Sequence, residues 1–342
     1  MTYLVGKIAL DITAGAPNNG RGEDNVARVK SLLVGRERFP YVSAQAFRRW
    51  LRDSLPATEE RSKVTRSGTG KKQQAYTDGR PDKYLDDDLF GYMVAVKKES
   101  YQRDTVLATG TFVSLASKRI TQDFGTMSRG FSSGEDPVIH EHEHYTAELA
   151  ADVLFDLPRV GTFEQNGGGL RRALGEKAAA EAKTSAGAVA TTLRGVECLR
   201  LPIEERRRRT GVLLRTFAQM QGGANRALHY GDRSPALVLL APLKGGNNPF
   251  TRVLTMGDKS ARFDLTTFIE EKRAWHEELD GPITIGWAPG FLGDQRESVR
   301  RELAEDIAAG EVVIDHPRVV LQALAKQIEA GQLDSWFEDE SA

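Results

Sequence analysis

The segment from Tyr41 to Leu55 constrains the fold more than any other stretch, because its polar and apolar residues separate on the period of a helix. Ser43 stands where a helix would begin, and its hydroxyl can accept a hydrogen bond from an otherwise unpaired backbone N–H. The large apolar residues fall on one side and a group of polar residues falls in a narrow sector opposite. The apolar residues are Phe47, Trp50, Leu51 and Leu55, and the polar residues are Gln45, Arg48, Arg49 and Arg52. We therefore predict a helix with a buried aromatic face and a basic outer face.

The basic face of this helix allows two interpretations. Guanidinium groups donate paired hydrogen bonds to phosphate oxygens, so a row of arginines suits a nucleic-acid backbone. A solvated surface helix would show the same pattern and is the simpler interpretation of the segment alone. Because the formal net charge is -1, no overall field attracts the chain to a polyanion. Any such site must be a local cluster of arginine and lysine.

A strand and a basic loop precede the helix. Apolar residues alternate from Tyr3 to Thr13, which is typical of a strand. The following loop, residues 14–24, is rich in turn-forming residues and carries Arg21, and Arg28 and Lys30 come soon after it. The N-terminal part is therefore predicted as strand, basic loop and basic helix.

The order of the remaining elements indicates the fold class. Strands are predicted at residues 92–96, 106–115, 145–157 and 235–241, and a helix from Pro202 to about Gln221 with Gly222 as its cap. Strand, helix, strand, strand, helix, strand is the βαββαβ order of a ferredoxin-like or RNA-recognition-motif fold. We predict an α+β fold of that kind with long insertions. The chain lacks the strand signature with which standard members stack bases, so RNA would have to be held differently.

A glycine turn follows the second predicted helix and contains Gly222, Gly223, Ala224, Asn225 and Arg226. Two consecutive glycines let backbone amides approach a phosphate or a base closely, because no Cβ intervenes. Glycine after a helix is also the default C-terminal cap. The turn therefore supports a binding site only in combination with the basic helix and the insertion loops.

Three polar segments have structural interpretations. Residues 56–80 are predicted as a mobile basic loop, and residues 117–137, which include Arg129, as a polar connection. The run Arg206–Arg209 is predicted as a mostly solvated helix start. Successive residues point in different directions around a helix, so at most two of these arginines could serve one site.

Two clusters invite a metal interpretation. Asp86–Asp88 are consecutive, but adjacent carboxylates rarely converge on one ion without further ligands. His140, His142 and His144 alternate, so they would share one face of a strand, and this spacing can bind zinc or nickel. An exposed polar strand is the simpler interpretation of the histidines. A metal-dependent nuclease or hydrolase using both clusters is one alternative function.

Composition narrows the class of protein. The single cysteine, Cys198, excludes an internal disulfide framework and a cysteine-based zinc site. No stretch approaches the roughly 18 apolar residues of a membrane-spanning helix, and the N-terminus lacks a signal-peptide core. We predict a cytoplasmic protein without a membrane partner. Amphipathic helices near residues 265–279, 296–309 and 316–330 are predicted to serve packing.

Six ordered segments resemble one protein family. They are Asn25–Lys30, Tyr41–Arg52, Asp88–Gly91, Gln122–Gly125, Leu157–Phe163 and Arg208–Pro235. Together they resemble the backbone subunit of type I CRISPR Cascade complexes, in the DevR or autoregulator branch of the Cas-seven family and subtype I-B. The matching segments lie between residue 1 and about residue 240, and the region after Phe250 has no match.

The resemblance implies a single hand-shaped unit. Its parts would be an RNA-recognition-motif palm at 1–56, 143–155 and 206–257, a finger insertion at 57–142, a thumb hairpin at 156–205 and a helical C-terminal extension at 258–342. Several copies would polymerise along one CRISPR RNA with other Cascade subunits, and the guide would pair with target DNA. The thumb would interrupt the guide at regular intervals and flip out a base.

The same resemblance implies which residues bind RNA. With the basic loop and Arg129 added, the expected set is Arg21, Arg28, Lys30, Ser43, Gln45, Arg48, Arg49, Arg52, Arg129, Gly222, Gly223, Asn225 and Arg226. No catalytic residue, metal or cofactor is expected, because type I backbone subunits do not cleave RNA. The family's older name leaves a DNA-binding transcriptional regulator as a second alternative.

Overall fold

The structure is a computed structural model that describes residues 1–20, 26–69, 73–96, 99–132, 134–136, 138–166, 172–257 and 260–339. Its strands are β1 (Thr2–Gly15), β2 (Val26–Ala27), β3 (Ser31–Val34), β4 (Glu37–Val42), β5 (Val64–Ser67), β6 (Gln74–Thr77), β7 (Tyr92–Val96), β8 (Glu99–Arg103), β9 (Leu107–Thr109), β10 (Phe112–Ser114), β11 (Thr121–Met127), β12 (Val138–Asp156), β13 (Thr162–Asn166), β14 (Val189–Leu193), β15 (Val196–Arg200), β16 (Leu237–Lys244), β17 (Leu254–Met256), β18 (Ala261–Phe263), β19 (Ile283–Trp287) and β20 (Val312–Asp315). Its helices are α1 (Ala44–Ser54), α2 (Leu85–Phe90), α3 (Glu176–Ser185), α4 (Ile203–Phe217), α5 (Leu265–Ala274), α6 (Gln295–Glu302), α7 (Ala304–Ala308) and α8 (Pro317–Glu329). The α+β class is as predicted.

One large mixed sheet forms the centre of the fold. Its strand order is β20-β19-β16-β1-β12-β10-β4-β3, and β2, β9 and β11 pair with β12 beside this path. The β19–β20 and β2–β12 pairs are parallel, and the other pairs of the sheet are antiparallel. Strands β1 and β12 pair from Tyr3 opposite Asp156 to Ile12 opposite Ala147. The alternating N-terminal segment is therefore a strand in the middle of the sheet.

Both faces of β1 are covered. Leu4 and Ile8 join a core with Phe47 and other residues of α1, α4 and α8. Val5 and Ala9 join a second core, to which β16, β19, α5 and α6 contribute. A strand that is buried on both faces needs apolar residues at successive positions, which this strand has. The sheet thus carries one layer of helices on each side.

The segment between the large sheet's strand β12 and helix α4 forms a unit with its own core. Strands β13, β15 and β14 make a separate three-stranded antiparallel sheet, and α3 packs on it. Phe163, Leu174, Ala182 and Leu199 are buried together in this unit. The segment therefore has a hydrophobic core distinct from the two cores on the large sheet.

The segment predicted as a mobile basic loop, residues 56–80, contains a hairpin in its described part. Strands β5 and β6 pair as a hairpin, with Val64 opposite Thr77 and Ser67 opposite Gln74. The side chains of β5 are exposed, as expected for a two-stranded hairpin with little apolar surface to bury. Further along, β9 and β10 pair with β12, so part of the 57–142 range belongs to the large sheet.

The C-terminal region is not only helical, contrary to the prediction for residues 258–342. Ile283, Ile285 and Trp287 of β19 are fully buried, and β19 pairs with β16. Strand β20 then pairs with β19 and forms the edge of the large sheet. The predicted amphipathic helices pack on this extension. Within the described residues, no helix combines the length and apolar character that crossing a membrane requires.

The arginine run at the start of α4 is not a solvated surface. Arg206 and Arg209 are 2% and 1% exposed. Arg209 pairs with the carboxylate of Asp88 at 2.8 Å, and Arg206 donates hydrogen bonds to three backbone carbonyl groups. Arg207 and Arg208 pair with carboxylates nearer the surface. Arg206 and Arg209 therefore hold the interior together, whereas Arg208 is exposed, and the prediction of a mostly solvated helix start is wrong.

Candidate nucleic-acid interface

Helix α1 forms as its sequence predicts. The hydroxyl of Ser43 accepts a hydrogen bond from the backbone N–H of Ala46 at 3.3 Å, which caps the first turn. The backbone N–H of Ser43 donates to Oδ1 of Asn18 at 2.9 Å, so the preceding loop fixes the start of the helix. Phe47, Trp50, Leu51 and Leu55 are buried, as predicted.

The three arginines of α1 have different partners. Arg49 pairs with Asp53 one turn later at 2.8 Å. Arg52 approaches Asp86 at 3.4 Å, and its guanidinium lies 5.2 Å from the centre of the Phe90 ring. Both charges are therefore compensated within the chain.

Arg48 differs from these two arginines. It contacts the hydroxyl of Thr109 at 3.4 Å and has no carboxylate partner among the described residues. Burial lowers the pKa of Arg48, and the nearby guanidinium of Arg52 lowers it further. Arg48 is therefore the arginine of this face without a carboxylate partner in the described residues. Gln45 lies exposed on the same face.

The glycine turn packs against α1. Gly222 and Gly223 have φ angles of +130° and +94°, which favour glycine, and a Cβ on Gly222 would lie 3.0 Å from the Cβ of Trp50. The Ser54 hydroxyl bonds the backbone of Gln221 in both directions, at 2.7 and 2.8 Å. We predicted Gly222 as the C-terminal cap of α4, but the helix already ends at Phe217, so this prediction is wrong. The close approach to Trp50, not helix termination, requires this glycine.

The turn continues into an exposed segment. Asn225 has a φ of +52°, and its carbonyl accepts hydrogen bonds from two following backbone N–H groups. Arg226 is exposed, donates to Oε1 of Gln221 at 3.0 Å and lies 5.9 Å from the centre of the Tyr230 ring. Asn225 and Arg226 thus form the exposed end of the glycine turn, and Gly222 connects the turn to α1.

The remaining predicted RNA-binding residues lie elsewhere. Arg28 contacts Glu143 of β12 at 3.5 Å, and the backbone of Lys30 bonds to Asn18 at 3.1 Å. Arg129 is exposed in the segment after β11, in the connection to β12 rather than on α1 or the glycine turn. Arg21 falls outside the described residues. The contacts thus join the start of α1 to the loop with Lys30, and the end of α1 to the glycine turn.

The three consecutive aspartates have structural partners. Asp88 binds Arg103 and Arg209, and the carboxylates of Asp87 and Asp86 accept from the backbone N–H groups of Arg80 and Ser62. Burial raises the pKa of Asp86 and of Asp87. Each carboxylate therefore serves a different contact and does not converge on a common point.

The alternating histidines share a face of β12, as predicted. The rings of His140 and His142 stack with centroids 6.3 Å apart, and Nε2 of His142 lies 3.4 Å from the Asp123 carboxylate. His229, which the sequence did not single out, lies 5.0 Å from the ring of His142 and 5.3 Å from that of His144. Across the described part of the chain, no three His, Cys, Asp or Glu side chains are arranged to hold a metal ion.

The sequence also missed a cavity beside the glycine turn. It has a volume of about 430 Å³, and Arg226, Tyr230, Arg233 and Arg318 contribute to its wall. Arg233 is 2% exposed, whereas Tyr230 is 80% exposed. The sequence contained one indication of this region, because Arg233 belongs to the segment Asp232–Pro235, which is part of the family resemblance. Nothing in the sequence indicated that this arginine would be buried.

Solved structures share this fold over nearly the whole chain. One chain of a structure titled "CRISPR RNA-guided surveillance complex" matches 95% of this chain and 99% of its own length, with a TM-score of 0.54 and 13% identity. A chain of a second structure, titled "CRISPR RNA-guided surveillance complex, pre-nicking", matches 97% of this chain and 100% of its own length, with a TM-score of 0.54 and 12% identity. At such identities the similarity demonstrates a common fold. No family model and no curated protein matches the sequence.

Proposed function

We propose that this chain is a CRISPR-RNA-binding backbone subunit of a type I Cascade surveillance complex. In this function, several copies polymerise along one guide RNA beside other Cascade subunits, and the guide pairs with target DNA. The observation that carries the proposal is the basic face of α1, where Arg48 has no acidic partner in the described structure. The whole-chain similarity to chains of RNA-guided surveillance complexes supports it.

The proposed palm is an RNA-recognition-motif unit within the large sheet. Its strands would be β1, β10, β12 and β16, which are antiparallel neighbours in the order β16-β1-β12-β10. Helix α1 would be its first helix and α4 its second, and both pack on the same face of the sheet. This arrangement agrees with a βαββαβ order in which the second strand lies at 112–114.

The other parts of the hand are assigned by the same proposal. The finger is the part of 57–142 outside β9 and β10, including the exposed β5–β6 hairpin. The thumb is the 156–205 segment, and its separate core supports a distinct unit. The 258–342 extension adds β19 and β20 to the edge of the palm sheet. The subtype I-B assignment rests on the sequence resemblance.

RNA would be held by its backbone, independently of base sequence. The guanidinium of Arg48 would bind a phosphate, and the Gly222–Gly223 turn, which packs on Trp50 of the same helix, would contribute further contacts to the strand. Arg49 and Arg52 would act less strongly, because Asp53 and Asp86 already compensate their charges. We assign no catalytic residue to this chain.

The test compares Arg48→Gln with Arg49→Gln, since both remove one arginine from the same helix face. After co-expression with a CRISPR RNA, we expect Arg48→Gln to lose most of the co-purifying RNA and Arg49→Gln to retain it. Binding of single-stranded RNA at increasing salt gives a second measurement. The slope of log affinity against log salt should become shallower by about one for Arg48→Gln.

Undiminished RNA with Arg48→Gln and an unchanged salt slope would refute the proposed grip. Two further measurements address the alternative functions. Tighter binding to duplex DNA than to single-stranded RNA would favour a transcriptional regulator. Divalent-ion-dependent RNA cleavage that is lost when His140, His142 and His144 are replaced would favour a metal-dependent nuclease.

A further inference from the structure

Arg233 is a buried arginine whose polar contacts are few and long. Arg233 is 2% exposed, and no carboxylate of the described residues pairs with it. Its two contacts are long, to the carbonyl oxygens of Asp232 at 3.4 Å and His229 at 3.5 Å. Its Nε has no hydrogen-bond partner in the described structure. Burying an unpaired cation costs free energy of folding, so the burial of Arg233 requires an explanation.

Other buried arginines show what a structural role looks like in this chain. Arg103 pairs with Asp88 at 2.5 Å, and Arg209 pairs with the same carboxylate at 2.8 Å. Arg206 donates to three backbone carbonyl groups at 2.8, 3.1 and 2.8 Å. Arg233 has neither short hydrogen bonds nor a paired carboxylate, so its guanidinium does not stabilise the fold as those of the other buried arginines do.

Glycines surround the guanidinium of Arg233. A Cβ on Gly15 would lie 3.4 Å from its Nη2, one on Gly223 would lie 3.4 Å from its Nε, and one on Gly231 would lie 2.9 Å from its Nη1. These glycines come from two distant parts of the sequence. Side chains at these positions would crowd the guanidinium, and glycine leaves it bordered by backbone.

The cavity beside Arg233 is basic. Arg226 and Arg318 contribute to the same wall, and Arg318 comes from the first turn of α8. The acidic residue of the wall, Asp232, accepts hydrogen bonds from the backbone N–H and hydroxyl of Ser234 and is thereby held in its own turn. Burial lowers the pKa of Arg233, and Arg226 acts in the same direction. An anion in the cavity would relieve both effects.

The rim of the cavity carries an exposed aromatic ring. Tyr230 is 80% exposed, more than any other large apolar or aromatic side chain in the described residues. The guanidinium of Arg226 lies 5.9 Å from its ring centre. Exposed aromatic rings beside cationic side chains are the usual platform for an unstacked base of a single strand.

We propose that this cavity binds a phosphate of single-stranded RNA through Arg233, with a neighbouring base stacked on Tyr230. Arg226 and Arg318 complete the charge around the phosphate. The inference rests on the proposed function and deepens it, because it adds a second contact to the grip of α1. It also gives the C-terminal region a role, since α8 supplies part of the wall.

The test compares Arg233→Gln with Arg252→Gln. Arg252 is a suitable control because its side chain is 74% exposed and pairs with Glu271 outside this cavity. We expect Arg233→Gln to bind a uridine RNA of about 12 nucleotides at least about tenfold more weakly, and Arg252→Gln to bind it normally. Without RNA, the Tm of Arg233→Gln should be unchanged or higher, because a buried unpaired charge has been removed.

A second pair of variants tests the stacking platform. We expect Tyr230→Phe to keep its RNA affinity, since the ring remains, and Tyr230→Leu to lose affinity by about tenfold. Equal affinities of Tyr230→Leu and the unchanged protein would refute the stacking contact.

The outcomes separate this inference from the proposed function. If the unchanged protein binds RNA and Arg233→Gln binds it equally well, or loses only Tm, the cavity is not a phosphate site and the proposed function stands. If the unchanged protein binds no RNA, the proposed function fails. Inorganic phosphate then serves as the probe that tests whether the cavity binds an anion. A Tm increase with phosphate in the unchanged protein but not in Arg233→Gln then supports the site, and no such difference overturns it.

Discussion

Asp88 connects three parts of the chain through one buried carboxylate. It binds Arg103 of β8 at 2.5 Å, Arg209 of α4 at 2.8 Å and the backbone N–H of Gly161 at 2.9 Å. The side chains of Asp88 and Arg103 are fully buried. A single residue therefore holds the finger region, the second palm helix and the start of the thumb in the proposed assignment.

The Asp88→Asn variant tests this connection. Losing the charge leaves two buried guanidinium groups undercompensated, and we expect the free energy of unfolding to fall by about 3–5 kcal/mol. The control is Asp53→Asn, because Asp53 pairs with Arg49 on the surface with 42% of its side chain exposed. That control should cost at most about 1 kcal/mol. Urea unfolding measures both, and equal losses would contradict a special role for Asp88.

At the residue scale, the sequence predicted side-chain types but only some of their partners. Arg48, Arg49 and Arg52 look equivalent in the sequence, and the structure separates them by their partners. Asp53 lies four residues after Arg49, so that ion pair could have been predicted from helix spacing. Asp86 comes from another helix, and only the packing of α2 against α1 brings it to Arg52.

At the element scale, the candidate interface depends on the contact between α1 and the glycine turn. Ser54 bonds the backbone of Gln221 in both directions, and Gly222 lies directly on Trp50. The buried tryptophan thus holds both the helix and the turn. Movement of the turn would displace Trp50 and with it the helix that carries Arg48 in the proposed grip.

The Gly222→Ala variant tests this contact. Its φ is +130°, and a Cβ would lie 3.0 Å from Trp50, so the substitution is both strained and crowded. Gly245→Ala is the matched control, because its φ is +87° and nothing lies within 4 Å of a Cβ there. We expect Gly222→Ala to lose about 1–3 kcal/mol more stability than the control and to bind RNA more weakly. Equal losses of stability would contradict the packing argument.

Helices and strands were predicted correctly where the local sequence carries a cap or a clear apolar pattern, and were missed where it does not. Helix α1 has an N-terminal cap and a clear apolar face, and its position agrees with the prediction. The β5–β6 hairpin was missed because its exposed side chains show no alternation of burial that a sequence pattern could reflect. Strands β19 and β20 were missed because they lie between the amphipathic helices that dominated the pattern.

At the scale of the whole molecule, distant segments meet around one histidine. His229 follows the glycine turn, yet its ring lies 5.0 Å from that of His142 and 5.3 Å from that of His144 on β12. Burial lowers the pKa of His229 below its ordinary 6.5, and the two neighbouring histidines lower it further. The folded protein therefore favours the neutral form of His229 more than the unfolded chain does.

This difference predicts a pH dependence of stability. As the pH falls below about 7, the unfolded chain takes up a proton on His229 before the folded protein does, so the free energy of unfolding decreases through the lowered pKa. We expect His229→Gln to lose less stability than the unchanged protein between about pH 7.5 and 5.5. The control is His276→Gln, which removes an exposed histidine outside this cluster. Parallel curves for His229→Gln and the unchanged protein would exclude this contribution.

The sequence by itself determined the basic helix, the central strand, the α+β class and the glycine turn, because each depends on local periodicity or local backbone freedom. Only the tertiary structure decided which charges remain without a partner. Asp53 and Asp86 pair with two arginines of α1, whereas Arg48 has no carboxylate partner in the described residues, and Arg233 is buried among glycines with no carboxylate paired to it there. The Arg49–Asp53 pair follows from helix spacing, but the other contacts depend on residues far apart in the chain. Charges of such residues interact through space, and their compensation cannot be obtained from spacing along the sequence.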